Sequence, residues 1–306
     1  MRNKIFFILL LNLFVIITAK NYSQIIDTNE KWIKVADGLN FAEGPANHDS
    51  IVYFSNCYGG WIAEYSNAVL DTFISYLDDS LLIQKTNGLA YGKDNYLYVC
   101  EYGKGKILRV DSLKNIEVYA DRYKGERFNR PNDLVLVANG NLFFTDPKSY
   151  DVNILDGRIF FIDVITKEVS IAEDSLAFPN GINISPIDGK LYVCESAKQK
   201  IVRYTITDQN KLIEKEDFVK IPGGDPDGIE FDIEGNLYAA HFGGKAVYIF
   251  SPDGKLLQKI ETPGVKPTNL EFGGKDFRTL YLTEVETNAL YKIRTIYAGK
   301  NSINNN

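Results

Sequence analysis

Apolar and polar positions alternate with period two through most of this chain, and the alternating runs return in a fixed order. A polar residue opens a short apolar run, a turn follows, and a second run forms around an aromatic residue. The segments EGPANHDSIVYFSN, NDLVLVANGNLFFTD and NGINISPIDGKLYVCE show the unit. Its anchor aromatics are Tyr53, Tyr98, Phe143, Tyr192, Tyr238 and Tyr281, spaced by 43 to 49 residues. A third run (KILRVD, RIFFID, AVYIFS) and a more polar fourth (NIEVYAD, EVSIAED, KLLQKIE) complete most units. Strand-rich repeats of this period predict an all-β fold, a six-bladed β-propeller with four-stranded blades.

The ends of the chain sharpen that expectation. The sixth unit ends after its third run, ALYKIRTIY, and lacks a fourth, whereas KWIKVADG near the start resembles the fourth runs elsewhere. The N-terminal strand is therefore expected to complete the last blade and close the ring, which removes an exposed sheet edge. Ile5 to Ala19 is nearly unbroken apolar sequence behind Arg2 and Lys4, too short for a comfortable membrane span. Residues 1–19 read as a secretory signal peptide, with cleavage as late as Ser23. Residues 30–298 read as one propeller domain and 299–306 as a disordered tail.

Composition adds little to this picture. The net charge of -6 comes from interspersed acids and bases and argues against a nucleic-acid partner. Three cysteines with no CxxC pairing disfavour thiolate zinc; Cys100 and Cys194 share one register in non-adjacent units and read as small buried hydrophobes.

Aligned on the anchor aromatics, every unit carries an oxygen-bearing residue at the start of its first strand: Glu43, Asn87, Asn132, Asn180, Asp227 and Asn269. First strands of a propeller line the central channel, so these six side chains are expected to converge at one mouth. Carboxylate and amide oxygens without thiolates suit a hard cation. A second set lies three residues after each anchor: Asn56, Glu101, Asp146, Glu195, His241 and Glu284. It is expected beside the first, either tuning it by hydrogen bonding or forming ordinary charged strand ends. His241 is one of only two histidines, and either a proton-transfer role or a structural one fits it.

The segments Ala42-Glu43-Gly44-Pro45, Arg130-Pro131-Asn132-Asp133, Phe144-Thr145-Asp146-Pro147, Pro179-Asn180-Gly181 and Pro226-Asp227-Gly228, in this order, resemble the senescence marker protein/gluconolactonase/luciferin-regenerating-enzyme (regucalcin-like) family of six-bladed propellers. The resemblance implies one divalent metal ion held by Glu43, Asn180 and Asp227, calcium first, with zinc, magnesium or manganese as alternatives. It implies substrate contacts from Asn132 and Arg130. Pro147-Lys148-Ser149-Tyr150 departs from the family's usual sequence, in a loop expected to overhang the mouth.

The activity implied is metal-dependent hydrolysis of a cyclic ester, a sugar lactone, with Asp227 as catalytic base. Two alternatives stand beside it: a phosphotriesterase or arylesterase on the same ring, and a non-catalytic calcium- or ligand-binding propeller. No GxSxG motif is present to support a serine hydrolase. The expected partner is a small-molecule substrate, with no nucleic acid and no stable membrane association after leader removal. The expected setting is a monomer in a periplasm or outside the cell.

Overall fold

The computed structural model describes residues 24–75 and 83–300. The leader and its cleavage positions lie outside the described residues. Six antiparallel four-stranded sheets make up the fold, apart from a small hairpin, Arg122–Tyr123 with Glu126–Arg127. Blade one runs Ala42–His48, Ile51–Asn56, Trp61–Ser66 and Val69–Ser75, from the axis outward. Blades two to five repeat this order, their first strands being Thr86–Tyr91, Leu134–Leu136, Pro179–Ile184 and Asp225–Phe231. Blade six contains Pro267–Gly273, Thr279–Glu284 and Ala289–Arg294, and its outermost strand is Ile33–Ala36. That strand pairs antiparallel with Ala289–Arg294, joining the beginning of the described chain to its end. Helix is confined, among the described residues, to a single turn at Ser196–Lys198.

The apolar face of each blade is buried against its neighbour, so the core is divided into six inter-blade clusters. Tyr53, Phe73, Leu89, Leu97 and Val99 pack between blades one and two. Tyr238, Val247, Leu270 and Leu282 pack between five and six. Each anchor aromatic enters the cluster shared with the following blade, which explains the repeat: a closed ring buries both apolar faces of every unit and leaves no terminal face exposed. Three anchors satisfy their buried phenols through an aspartate shortly before them: Tyr98 with Asp94 (2.7 Å) and Tyr192 with Asp188 (3.0 Å), four residues back in the turn, and Tyr238 with Asp232 (3.1 Å), six back at the end of the first strand.

The folded unit is longer than residues 30–298. Ile25 and Ile26 are buried in the five–six cluster, and their N–H groups donate to the Gln258 side chain, each at 3.0 Å. Gly299 and Lys300, assigned to a disordered tail by their polar sequence, are seated in the fold. Gly299 bridges Asp232, and Lys300 Nζ lies 3.3 Å from Glu230. Residues 301–306 lie outside the described residues.

Candidate active site at the mouth of the channel

Five of the six first strands lose regular register where their ring residue stands. The irregularities fall at Glu43/Ala46, Thr86/Leu89, Pro179/Ile182, Pro226/Ile229 and Pro267/Asn269. A bulge turns a side chain out of the alternation, here toward the axis. Gly follows the ring residue in four blades because neighbouring backbones approach too closely for a side chain. A Cβ on Gly88 would meet the Asn132 carbonyl at 2.7 Å, and one on Gly181 the Asp227 carbonyl at 2.2 Å. Hydroxyls stitch the same seams. Ser55 donates to the Asn87 carbonyl (2.6 Å), Thr145 to that of Asn180 (2.8 Å) and Ser196 to that of Pro226 (2.7 Å). Cys100 and Cys194 occupy the register of Ser55 and Thr145, and all three cysteines are free and buried.

The ring residues converge as their register requires. Glu43, Asn87, Asn132, Asp227 and Asn269 are each less than 8% exposed, and Asn180 is partly buried. The Asn180 side chain hydrogen-bonds the Asp227 carboxyl, and the charge of Glu43 acts on that carboxyl from blade one. A third acid, Asp133, is a member that sequence alignment hides, because the other units have Gly or Leu at its position. Its carboxylate accepts the Leu134 N–H (2.9 Å) and the Asn269 amide (3.3 Å), linking opposite blades across the axis.

The electrostatics of this cluster are one-sided. Burial, then the neighbouring acids, push Asp227 well above the carboxylate range. Burial also raises Glu43, with Asp133 adding to the shift and the Gly44 N–H opposing it. Asp133 is raised to about 6, again chiefly by burial. Among the described residues, no basic side chain is a leading influence on Glu43 or Asp227 or forms an ion pair with either. Three buried carboxyls without a countercharge, among amide oxygens, form a donor set that fits a hard divalent cation. Among the described residues no three His, Cys, Asp or Glu side chains stand together as a metal-holding group, so an amide such as Asn180 would have to join Glu43 and Asp227.

The second set of polar residues turns out to hold loops. Asn56 accepts the Asn40 N–H at 2.6 Å, and Glu101 accepts those of Gln84 and Lys85 at 2.9 and 3.1 Å. Asp146 accepts those of Asn129 and Arg130 at 3.0 and 2.7 Å, and Glu284 accepts Lys266 at 2.9 Å. His241 holds its loop with the opposite polarity, its imidazole Nε2–H donating to the Ile221 carbonyl at 3.3 Å. Burial lowers its pKa, so the ring is neutral near pH 7. Glu195 differs, being neutralised by Lys215 at 2.8 Å with Lys198 and Lys200 nearby. In five blades, then, this residue anchors the backbone leading into its own first strand and so fixes the ring.

Arg130 is exposed at the rim, its guanidinium 5.9 Å from the Tyr102 ring. The loop after Asp146 reaches across the mouth, where the Tyr150 hydroxyl donates to Asp225 at 2.7 Å and its ring packs on Phe178.

Residues 30–286 match the SMP-30/Gluconolactonase/LRE-like region. The chain belongs to that family. It is 35% identical to a gluconolactonase of Zymomonas mobilis over 218 residues, 65% of this chain and 60% of that protein. It is 29% identical to diisopropyl-fluorophosphatase of Loligo vulgaris over 222 residues, covering 67% of this chain and 70% of that one. The fold superposes on a gluconolactonase from Xanthomonas campestris with a TM-score of 0.77 at 25% identity, covering 89% and 94% of the two chains. The match to the Zymomonas protein therefore spans about 60% of its length.

Proposed function

We propose that this protein hydrolyses a sugar lactone at the channel mouth, with a divalent cation held by Glu43, Asn180 and Asp227. The observation that carries the reading is the convergence of these residues from three blades into a buried, acid-rich cluster without a countercharge. Similarity to two gluconolactonases supports the choice of a cyclic ester over other hard-cation chemistries.

A cation bound there supplies Lewis acidity toward a carbonyl and toward water. The chain's own residues supply the rest. Glu43 and Asn180 contribute oxygens from opposite sides of the ring, and the bulges keep both pointed inward. Asp227 accepts the proton of the attacking water at a carboxylate oxygen, a role open to it only when ionised. Nearby positive charge favours that ionised form, the reverse of the shift that burial alone imposes. Asn132 and Arg130 orient the substrate's hydroxyls, Asn132 from the buried ring and Arg130 from the rim. The loop bearing Tyr150 covers the opposite side and limits access of bulk water.

The similarity to diisopropyl-fluorophosphatase favours, as a second reading, a phosphotriester at the same ring. Assays of metal-loaded protein on aldonolactones and on an aryl phosphotriester, before and after chelation, separate the two. A metal-dependent rise in melting temperature with no turnover of either would instead leave a binding module. The leader-like sequence at the start of the chain supports a periplasmic or extracellular setting for this enzyme.

A further inference from the structure

Two residues before each ring residue, the blades place a second tier around the mouth: Phe41, Lys85, Arg130, Phe178, Asp225 and Pro267. Five of these six meet one of three tyrosines. Phe41 packs edge-on against Tyr58 (5.0 Å), and Lys85 Nζ lies 4.7 Å from the same ring. Arg130 stands over Tyr102, while Phe178 and Asp225 both contact Tyr150. The tier is electrically lopsided. Its two cations stand on adjacent blades, two and three, and its one acid stands on blade five, already engaged by the Tyr150 hydroxyl. Neither Lys85 nor Arg130 forms an ion pair among the described residues. Both are held from behind by backbone N–H bonds to Glu101 (3.1 Å) and Asp146 (2.7 Å), so their side chains project from fixed points. The Tyr58 phenol is influenced by both Arg130 and Glu43, which puts the cationic arc beside the buried ring.

We propose that the substrate carries a negatively charged group, a carboxylate or a phosphate, which Lys85 and Arg130 receive while Tyr58 and Tyr102 flank it. The inference rests on the lactonase reading for the reacting bond and adds the substrate's charge. An anion on this arc also experiences the acids below it, so Lys85 and Arg130 set which side of the mouth the charged end occupies. Lys85 therefore determines specificity without touching the scissile ester.

The test compares D-glucono-lactone with its 6-phosphate and with an aldaric monolactone, using the metal-loaded protein. The charged lactones are expected to be favoured in kcat/KM by about tenfold, a preference that shrinks with salt. Lys85→Met and Arg130→Gln should each narrow the charged-to-neutral ratio by about threefold, as expected for a partly exposed charge pair. Equal turnover of neutral and charged lactones, or ratios unchanged in both variants, would overturn the proposal. Calorimetric binding of glucitol and of glucitol 6-phosphate, one neutral and one charged, gives the same comparison independently of catalysis. Absence of turnover with a retained preference for glucitol 6-phosphate would refute the lactonase reading and keep the charged arc. Equal binding of the two in that case would refute the arc as well.

Discussion

Lys300→Met isolates the charge balance at the end of the channel remote from the ring. Glu230 and Glu271 are 5% and 8% exposed, Lys300 Nζ lies 3.3 Å from Glu230, and the ammonium also contacts the Asn183 amide oxygen. Burial and the Glu230 charge raise the pKa of Glu271, and Lys300 opposes them. Methionine keeps most of the side-chain volume and removes only the charge. Breaking a buried pair by deleting one partner costs about 3–5 kcal/mol. The carboxyls can escape part of that by taking up a proton. From a reference value of 4.5, neutralising one glutamate at pH 7 costs about 3.4 kcal/mol, at about 1.4 kcal/mol per pH unit. The loss should therefore approach, and not exceed, about 3.4 kcal/mol, or roughly 7–14 °C in melting temperature for a domain of this size.

The sign of the pH dependence follows. A glutamate whose folded pKa is raised favours the fold below its unfolded value of 4.5 and costs stability as pH rises toward the folded value. The variant's deficit should be small near pH 5 and grow toward pH 8. Paired thermal melts of both proteins across that range, followed by circular dichroism, give the comparison. Adding Glu271→Gln to the variant should recover most of the deficit. A pH-independent deficit, or one under about 1 kcal/mol, would refute the argument that Lys300 is a required countercharge.

Other expectations follow from the same geometry. In chelator, the raised carboxyls Glu43, Asp133 and Asp227 should make the melting temperature fall from pH 5 to 8, and calcium should restore more of it at the higher pH; melts with and without calcium check this. Asp227→Asn should lower lactone turnover by about a hundredfold or more while leaving the metal-free melting temperature equal or higher, since a repelling acid is gone. Gly181→Ala should accumulate poorly as soluble protein, because its Cβ would sit 2.2 Å from a neighbouring carbonyl; expression beside a Gly189→Ala control, where space is open but φ is positive, separates crowding from strain. Glu284→Ala removes the acceptor of the Lys266, Glu286 and Thr287 N–H groups and should cost about 2–4 kcal/mol in urea unfolding.

The fold was legible because the propeller repeats its physics as well as its pattern. An anchor aromatic shared with the next blade gives the 43–49-residue period, and two of the buried tyrosines, Tyr98 and Tyr192, recruit an aspartate from the same turn position. The primary ring was legible for the same reason, since a polar residue at an inward bulge recurs at one register. Asp133 escaped notice because it stands where other units have glycine, and repeat alignment favours what is shared over what is singular. Tyr150 and Asp225 meet through a loop of irregular sequence, and Tyr58 and Tyr102 follow their strands without a common motif. Lys300 reaches Glu230 from a segment whose polarity resembles a tail. The second polar set was found in sequence, but only the hydrogen bonds to upstream N–H groups reveal that it holds loops.

The measurement closest to the central claim is calcium binding to purified protein by calorimetry, run together with lactone hydrolysis in wild type and in Glu43→Gln, Asn180→Ala and Asp227→Asn variants that melt normally. One ion per chain is expected, with turnover abolished by chelation, restored by the ion, and lost along with tight binding in all three variants. Undiminished hydrolysis after complete chelation, or full ion affinity in the three variants, would contradict the account.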